Sequence, residues 1–490
     1  MDQRIFHNTP GTPGTHGMSR RQVVSLAALA AAAVPLSACG DDRKRQTTAP
    51  AGATGAADPD RPENKTYPYD EAQTLYQSLT WPKTSIPEPK SKVTVTMAIT
   101  ADENAQVRHQ QFTKFFREQH PNIEIKREIT PFADYLTKYI TQAAGGSLPD
   151  LMYTHYSWAQ NLIKYNILAP LDDYISATPD FNKSDFTATA LSFFAKDGKQ
   201  YGVPTDSAPK MLFYNKEIFA KAGIELPDKT WTWAKLQEVA KQLTQGSGVN
   251  KQFGFTPMPI PYGDLTTLYL LPYGGRFLSQ DETTVTINSP QASEALAPWV
   301  DLQVKSKSVP SLAELQALEN ADPYRANHSA MACNGAWIIP AVLSLPDHQK
   351  FEWGLTHLPS GPAGRFSPAV GSAFGLTTKA ANKDAAWIVL NAFLSAAGQR
   401  FFMFSPPARM STFDANLKAL KVDDQIIKDC KEALKTYATS DGVLKLPNTQ
   451  KIIDTAKPVW DRVRGGKQDL AGALKEITDR CAPVAKANAA

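Results

Sequence analysis

The segment that decides the fold is KVTVTMAI (residues 92–99), in which apolar side chains at every second position alternate with small or polar ones. This period-two pattern predicts a β-strand. A helical spacing of apolar residues follows over 104–120, then a second alternation over 122–129, a helical face over 132–144 and a short apolar run at 151–153. Strand, helix, strand, helix and strand in this order predict an α/β fold with a parallel sheet and helices on both faces.

Ligands of such sheets bind beyond the carboxyl ends of the strands, which here are the turns at 100–104 and 154–158. Asp102 and Glu103 follow the first strand, and Tyr156 follows the third. These three residues are therefore candidate ligand contacts. Asp102 and Glu103 have an alternative role as the N-cap of the helix that follows.

The rest of the body has a different pattern. Apolar spacing predicts a helix over 231–244 that begins at Thr230, and further helices over 289–306 and 384–395. From residue 413 onward the chain has an almost wholly helical pattern.

Length and composition restrict the class of protein. The chain has 490 residues, of which 42% are hydrophobic and 20% charged, so we expect a soluble globular body of two to four lobes. The net charge is only +4, and no basic run is longer than residues 43–45. This distribution excludes a nucleic-acid-binding surface, which needs a concentrated positive stripe.

The amino terminus has the features of an export signal. Two adjacent arginines in SRRQVV (19–24) precede an apolar stretch over 23–34 that is too short to span a bilayer. The paired arginines resemble a twin-arginine signal, and Met18, directly before the motif, is an alternative start.

The apolar stretch ends in LSAC (36–39), which resembles the bacterial lipobox. The sequence thus predicts a signal peptide over 1–38, a lipid-modified Cys39 and a flexible tether over 39–68 that is rich in Ala, Pro, Thr and Gly. The protein would then be exported and anchored by lipid to the outer face of the cytoplasmic membrane. The alternative is an ordinary signal peptide followed by an ordinary cysteine.

Three further cysteines follow Cys39, namely Cys333, Cys430 and Cys481. Export permits disulfides, and Cys430 and Cys481 both fall in the helical carboxyl-terminal region, where they could pair. Three buried free thiols are the alternative.

The usual signatures of catalysis are missing from the sequence. It contains no H-E-x-x-H, G-x-S-x-G, P-loop, G-x-G-x-x-G or C-x-x-C motif. The histidines after the signal are scattered, without a pair at metal-ligand spacing (109, 120, 155, 328, 348 and 357). We therefore predict no catalytic residue, metal or cofactor, although a glycosidase, which needs only two carboxylates, stays open.

Five segments in order resemble family 1 extracellular solute-binding proteins, the receptors of ABC sugar importers, of which maltose-binding protein is the familiar member. They are GGSLPDLM (145–152), YGVP (201–204) leading to LFYNK (212–216), AGI (222–224) running to TW (230–231), AMACNGAW (330–337), and VGS (370–372) running to AAW (385–387) and FL (393–394).

The resemblance implies two α/β lobes joined by hinge strands, with a ligand held between them and a helical carboxyl-terminal region. The first lobe would comprise 69–205, completed by about 370–405. The second would comprise 206–369, completed by helices in about 406–485. It also implies a monomer that captures a carbohydrate and delivers it to the transmembrane subunits of an ABC permease.

The resemblance also implies ligand contacts. Trp337 would stack on a sugar ring, with a core tryptophan as the alternative. Thr205 and Asp206 would be polar contacts at the hinge, although the carboxylate could instead cap the next segment. Gly371 and Ser372 fall at the return crossing, where the backbone would approach the ligand closely.

Two further positions belong to the same implied set. Tyr273 would lie in a cleft-lining loop, with simple packing as its alternative. Arg409 would either reach the cleft or pair with a surface acid.

Other functions remain open from the sequence alone. A surface hydrolase or lyase acting on carbohydrate would need two cleft carboxylates with separated pKa values. A binding protein for a non-sugar solute, and a sensor or adhesion module without a permease, are the remaining alternatives.

Overall fold

The structure, a computed structural model, describes residues 68–83, 85–100, 103–258, 265–318, 321–402, 406–443 and 448–487. The predicted signal peptide, Cys39 and nearly all of the tether lie outside the described residues. Among the helices that are described, none combines the length and the apolar character needed to cross a bilayer.

The described residues form twelve strands. They are β1 (Val93–Thr100), β2 (Ile123–Thr130), β3 (Leu151–His155), β4 (Ala195–Lys196), β5 (Lys199–Gln200), β6 (Val203–Pro204), β7 (Ala208–Asn215), β8 (Met331–Gly335), β9 (Trp353–Thr356), β10 (Ser367–Val370), β11 (Ser372–Leu376) and β12 (Ala438–Thr439).

Seventeen α-helices connect and cover these strands in the described ranges. They are α1 (Tyr69–Ser78), α2 (Glu103–Gln119), α3 (Phe132–Ala144), α4 (Tyr156–Lys164), α5 (Asp172–Ser176), α6 (Ala188–Ser192), α7 (Lys216–Ala222), α8 (Trp233–Gln242), α9 (Pro290–Val304), α10 (Leu312–Ala317), α11 (Ile339–Leu343), α12 (Lys383–Leu394), α13 (Ala396–Phe401), α14 (Phe413–Ala419), α15 (Asp424–Glu432), α16 (Thr449–Arg464) and α17 (Leu470–Lys486). Short π-helical turns occupy Thr266–Leu270 and Ala433–Tyr437.

The first sheet has the strand order β2-β1-β3-β11-β6. β1 runs parallel to β2 and to β3, whereas β11 runs antiparallel to β3 and to β6. The predicted succession from β1 to β3 through two helices is confirmed. Both faces of β1 are covered, since Met97 and Ile99 pack in one core cluster and Ala98 in another.

The second sheet is centred on β7, which pairs with β8, β9 and β10, and β12 extends it beside β10. All three partners of β7 run antiparallel to it, with Lys210 opposite Gly335 and Pro209 opposite Ala369. Seven of the eight β7 residues are buried, since the strand lies at the middle of this sheet.

The described chain passes between the two sheets at three places. β6 continues into β7 through residues 205–207, and β10 continues into β11 through Gly371. The third passage leads from α13 to α14, where Pro407 bridges to Asp206. Each lobe is therefore assembled from separated segments, with α12 and its buried Trp387 in the core of the first lobe.

One predicted helix begins later than expected. The Thr230 hydroxyl donates to Asp228 Oδ1 at 2.6 Å, whereas Thr232 caps α8, since its Oγ1 accepts from Lys235 N at 3.2 Å. The prediction that this helix begins at Thr230 was wrong, because Thr230 forms a turn with Asp228 and leaves the capping role to Thr232.

Of the two alternatives for the cysteines, the structure has the one without a disulfide, so the possible bond between Cys430 and Cys481 is absent. Cys333, Cys430 and Cys481 are all buried, and none of them forms a disulfide. Cys430 on α15 packs in a cluster with Phe213, whereas Cys481 on α17 belongs to a different cluster shared with Cys333. The two helices bury their apolar faces against different parts of the second lobe, so the thiols do not meet.

Candidate ligand-binding cleft

The hinge segments connect the two sheets next to the end of β3 and the start of β7. β3 ends at His155, and the register places Ser372, the first residue of β11, directly opposite it. On the second sheet, Lys210 near the start of β7 lies opposite Gly335 at the end of β8. The carboxyl end of β3 and the start of β7 therefore lie on either side of the hinge.

A hydrogen-bonded cluster at the hinge contains three of the predicted contacts. Thr205 Oγ1 lies 2.6 Å from Asp206 Oδ1 and 3.0 Å from Ser372 O, and Ser372 N donates to Asp206 Oδ1 at 3.0 Å. Ser372 Oγ lies 2.6 Å from the hydroxyl of Tyr153. The structure thus brings Thr205, Asp206 and Ser372 together with a tyrosine that sequence reasoning missed.

The Asp206 carboxyl group titrates above its ordinary range. Burial raises the pKa of Asp206 from 3.8 to about 6, although the hydrogen bonds from Thr205 and Ser372 act in the opposite direction. Desolvation outweighs these hydrogen bonds, because the ionised carboxylate loses more free energy by leaving water than it gains from the two donors. Burial likewise raises the pKa of Tyr153, and the nearby Asp206 charge adds to that effect.

Gly371 is required by the contact between two crossing segments. A Cβ at this position would lie 2.1 Å from the Asp206 carbonyl oxygen, so no other residue fits without movement of the hinge. Its own carbonyl accepts from Tyr156 N at 3.2 Å. The close approach expected at Gly371 therefore exists, but it is an approach to the neighbouring hinge segment.

Tyr156 begins α4 beside this cluster. Its ring lies 4.3 Å from that of His155 and 5.5 Å from that of Phe193, and it packs against a small apolar cluster near the hinge. Glu103 is the first residue of α2. Asp102 and the Glu103 side chain lie outside the described residues, so their predicted roles stay predictions.

Two basic residues that sequence reasoning did not select lie next to the hinge. Lys210 on β7 is only 2% exposed, and its Nζ lies 5.0 Å from the centroid of the Trp337 ring. Burial, together with the Lys210 charge, lowers the pKa of His155 to about 3. A lysine within the mostly apolar strand APKMLFYN was the signal that could have drawn attention to Lys210.

Trp337 follows the last residue of β8 and is 37% exposed, whereas its neighbours Ile338 and Ile339 are buried. Its ring packs directly on Gly335, where an added Cβ would lie 1.9 Å from a ring carbon. The alternative of a core tryptophan does not hold, because the apolar neighbours enter the core and leave the indole at the surface.

The exposed indole lines a cavity of about 810 Å³ in the second lobe. Met258, Asn334 and Asp322 also line the cavity, and α9 and α16 contribute apolar side chains such as Trp299 and Trp460 together with charged ones, namely Asp454, Lys457 and Arg464. Ligand pockets of about 300–1,000 Å³ commonly combine such apolar walls with a few polar groups. The size and lining suit a small organic ligand or a short oligomer.

Tyr273 does not line the same cavity. It is half-buried against the core of the second lobe and borders a separate depression with Thr232, Glu294 and Ser360. These contacts agree with the alternative role of Tyr273, which was simple packing. The structure therefore does not bring Tyr273 together with Trp337.

Arg409 lies in a buried network rather than at a ligand. Its Nε donates to Leu394 O at 2.7 Å, one terminal nitrogen donates to Phe181 O at 2.9 Å, and the other pairs with Asp185 at 3.3 Å. The guanidinium also stacks on Phe186, 4.4 Å from the ring centroid. Arg409 is 3% exposed, so it holds the third crossing in place, and neither a cleft contact nor a surface ion pair describes it.

Comparisons with known proteins agree with this architecture. The family model for the bacterial extracellular solute-binding protein matches residues 97–400. The lactose-binding protein of Rhizobium radiobacter is 26% identical over 285 residues, which are 56% of this chain and 64% of that protein. This chain spans about two thirds of the length of the curated relatives it matches, or less.

Two solved structures share the fold. An ABC substrate-binding protein from Listeria monocytogenes in complex with cycloalternan has a TM-score of 0.71 and 26% identity, covering 81% of this chain and 99% of that one. The GacH receptor of Streptomyces glaucescens, solved unliganded and with acarbose, has a TM-score of 0.67 and 25% identity over the same shares. These likenesses confirm the predicted two-lobed α/β fold. Because the family model matches more than half of its length, this chain belongs to the family of bacterial extracellular solute-binding proteins.

Proposed function

We propose that this protein is the substrate-binding lipoprotein of an ABC importer, which captures a sugar or oligosaccharide between its lobes and delivers it to a membrane permease. The observation that carries the proposal is the exposed indole of Trp337, whose ring centroid lies 5.0 Å from Nζ of Lys210, near the start of the strand that follows the hinge cluster. Sugars present C–H faces that pack on aromatic rings and hydroxyls that need short polar partners.

The size of the cavity and the relatives support a carbohydrate. The cavity that Trp337 lines measures about 810 Å³, and all of its lining residues belong to the second lobe, so it would form the second-lobe side of a site between the lobes. Lactose, cycloalternan and acarbose, which appear in the names and titles of the three proteins above, are all carbohydrates.

The hinge supports delivery to a transporter. Ligand-induced closure of two lobes about short strands is a known two-state motion, and a partner can recognise the closed form. The crossings at 205–207 and Gly371 are short and lie next to each other, as such a hinge requires. The partners would be the transmembrane subunits of an ABC permease.

The amino-terminal sequence supports export and anchoring. A lipid chain on Cys39 would hold the protein at the outer face of the cytoplasmic membrane, and residues 39–68 would give the body slack to reach the permease. The paired arginines at 20 and 21 favour the twin-arginine route. The body would act as a monomer and without catalysis.

The proposal is tested by thermal unfolding of the full-length chain with mono- and oligosaccharides, together with analysis of the sugar for cleavage. A ligand at 100 times its Kd stabilises the native state by about 2.7 kcal/mol, which should raise the Tm by a few degrees. We expect a saturable rise with one class of glycan and no product.

Two matched variants locate the binding. Trp337→Ala should abolish the shift, whereas Trp353→Ala should retain it, since Trp353 is half-buried at the far end of β7, opposite Asn215. A Tm that no sugar raises would direct the search to non-sugar solutes. Cleavage of the sugar would instead favour a surface hydrolase or lyase.

A further inference from the structure

A cluster of one imidazole and two carboxylates lies away from the cleft in the second lobe. His357 directly follows β9, and Asp429 and Glu432 lie three positions apart on α15, so both project from one face of that helix. One ligand atom from each residue can be chosen so that all lie within 4.8 Å of one another. The partners are up to 75 positions apart in sequence, which is why histidine spacing alone could not reveal them.

The imidazole is poorly satisfied by protein groups. His357 is 2% exposed, and its Nε2 makes a long contact of 3.3 Å with Glu432 Oε2 and lies 4.0 Å from Asp429 Oδ1. Its Nδ1 is buried and has no hydrogen-bond partner among the described residues. A metal ion bound at Nε2 would replace this long contact with Glu432 by two shorter bonds.

The spacing of these atoms is close to that of a tetrahedral ion. Zinc binds imidazole nitrogen at about 2.0–2.1 Å and carboxylate oxygen at about 2.0–2.2 Å, which separates neighbouring ligand atoms by about 3.3 Å. The contact between His357 and Glu432 already has that length. The remaining separations require small side-chain rotations, which the 40% exposed Glu432 side chain can make.

The local charge favours a cation. Asp429 and Glu432 place two carboxylates against the imidazole of His357. Arg365, which stacks on Tyr437 at 5.1 Å and donates to the Lys229 carbonyl, opposes them with one positive charge. The Tyr437 ring packs against His357 at 5.2 Å, so Arg365 approaches from behind an uncharged ring and reduces the negative potential without cancelling it.

We infer that His357, Asp429 and Glu432 form a binding site for a divalent transition-metal ion of the zinc class. An imidazole ligand selects such ions over Mg²⁺ and Ca²⁺, which prefer oxygen ligands alone. Water would complete the coordination on the side that Glu432 leaves open. The ion would tie α15 to β9 and so stiffen the second lobe, and this inference does not depend on the function proposed above.

The experiment is calorimetric titration of the metal-free full-length chain with Zn²⁺, repeated with Co²⁺ so that the absorption spectrum reports coordination. We expect one equivalent to bind and the Tm to rise. His357→Gln and Glu432→Gln should each weaken Zn²⁺ binding at least about 10–100-fold, the loss typical of even outer-sphere partners. Glu432→Gln guards against misfolding of the buried variant, because its side chain is part-exposed.

His120 provides the matched control. Its Nδ1 lies 2.5 Å from Glu88 Oε1, which is a histidine–carboxylate pair without the third ligand. His120→Gln should leave Zn²⁺ binding unchanged. Absence of stoichiometric binding, or binding that survives both His357→Gln and Glu432→Gln, would overturn the inference.

Discussion

Replacement of Asp206 by Asn should make the protein more stable at neutral pH and leave it nearly unchanged in acid. The folded protein holds the pKa of Asp206 at about 6, compared with 3.8 for an unperturbed aspartate. The folded state therefore retains a proton that the unfolded state releases between these values, so this carboxyl group makes the free energy of unfolding fall as pH rises. The difference corresponds to about 3 kcal/mol above pH 6.

Asn removes this penalty and keeps the local hydrogen bonds. Its side-chain oxygen can still accept from Thr205 and from Ser372 N, which are the donors to Asp206 Oδ1. Integration of the linkage between pH 4 and pH 7 gives a relative gain for the variant of about 2.4 kcal/mol.

The assay is urea unfolding of the wild type and Asp206→Asn at several pH values in that range. His155 acts in the opposite direction, because its lowered pKa makes stability fall as pH drops from 6.5 towards about 3. It is present in both proteins, so its contribution cancels when the two curves are subtracted.

Asp228→Asn is a control of opposite sign. Hydrogen bonds from Thr230 lower the pKa of Asp228, so its contribution to stability is present above the ordinary aspartate pKa and is lost in acid. That variant should lose stability at neutral pH relative to acid, and its comparison is extended below pH 4, because the contribution of Asp228 is lost only there. Parallel pH curves for the wild type and Asp206→Asn would refute the assignment of a buried, proton-retaining carboxyl group at the hinge.

Two further substitutions test the hinge by chemical unfolding. Gly371→Ala should destabilise the fold by about 1–3 kcal/mol or more, because the added Cβ would collide with a backbone carbonyl. Gly145→Ala should be tolerated, because the nearest atom to its added Cβ lies at 3.5 Å. Equal effects of the two substitutions would contradict the steric argument. Arg409→Met should lower the free energy of unfolding by about 3–5 kcal/mol, because it leaves Asp185 buried without its cation. Lys457→Met, which breaks an exposed ion pair, should lower it by under about 1 kcal/mol. A mild effect at Arg409 would argue against its role at the third crossing.

The sequence predicted those strands and helices in which apolar residues recur with the period of the element. β1 alternates large apolar residues with small or polar ones, and α3 has an apolar face at helical spacing, so the positions of both followed from the sequence. The place of β11 did not follow in this way, because its five residues are all buried and carry no periodicity. Only the resemblance to a known family indicated that the chain returns there.

The candidate site was partly predictable for the same reason. Thr205, Asp206 and Ser372 lie in segments that carry the resemblance, and the structure places them in mutual contact. Lys210 was missed because it is a charged residue in a strand that is mostly apolar and buried, a position that pattern reasoning assigns to packing. Arg409 was misplaced because no local pattern indicates the carbonyl and carboxylate groups that converge on it from distant segments.

The insertion of β11 between β3 and β6 determines when the first lobe can form. Tyr153 and Ser372 meet although they are 219 positions apart, so the sheet cannot close until most of the chain has left the ribosome. Such distant pairing makes folding slow and late. If the paired arginines direct the twin-arginine route, this folding is completed in the reducing cytoplasm. The described fold contains no disulfide among its three buried cysteines, so it does not need an oxidising compartment to form. The order of strands in one sheet would then bear on the choice of export route.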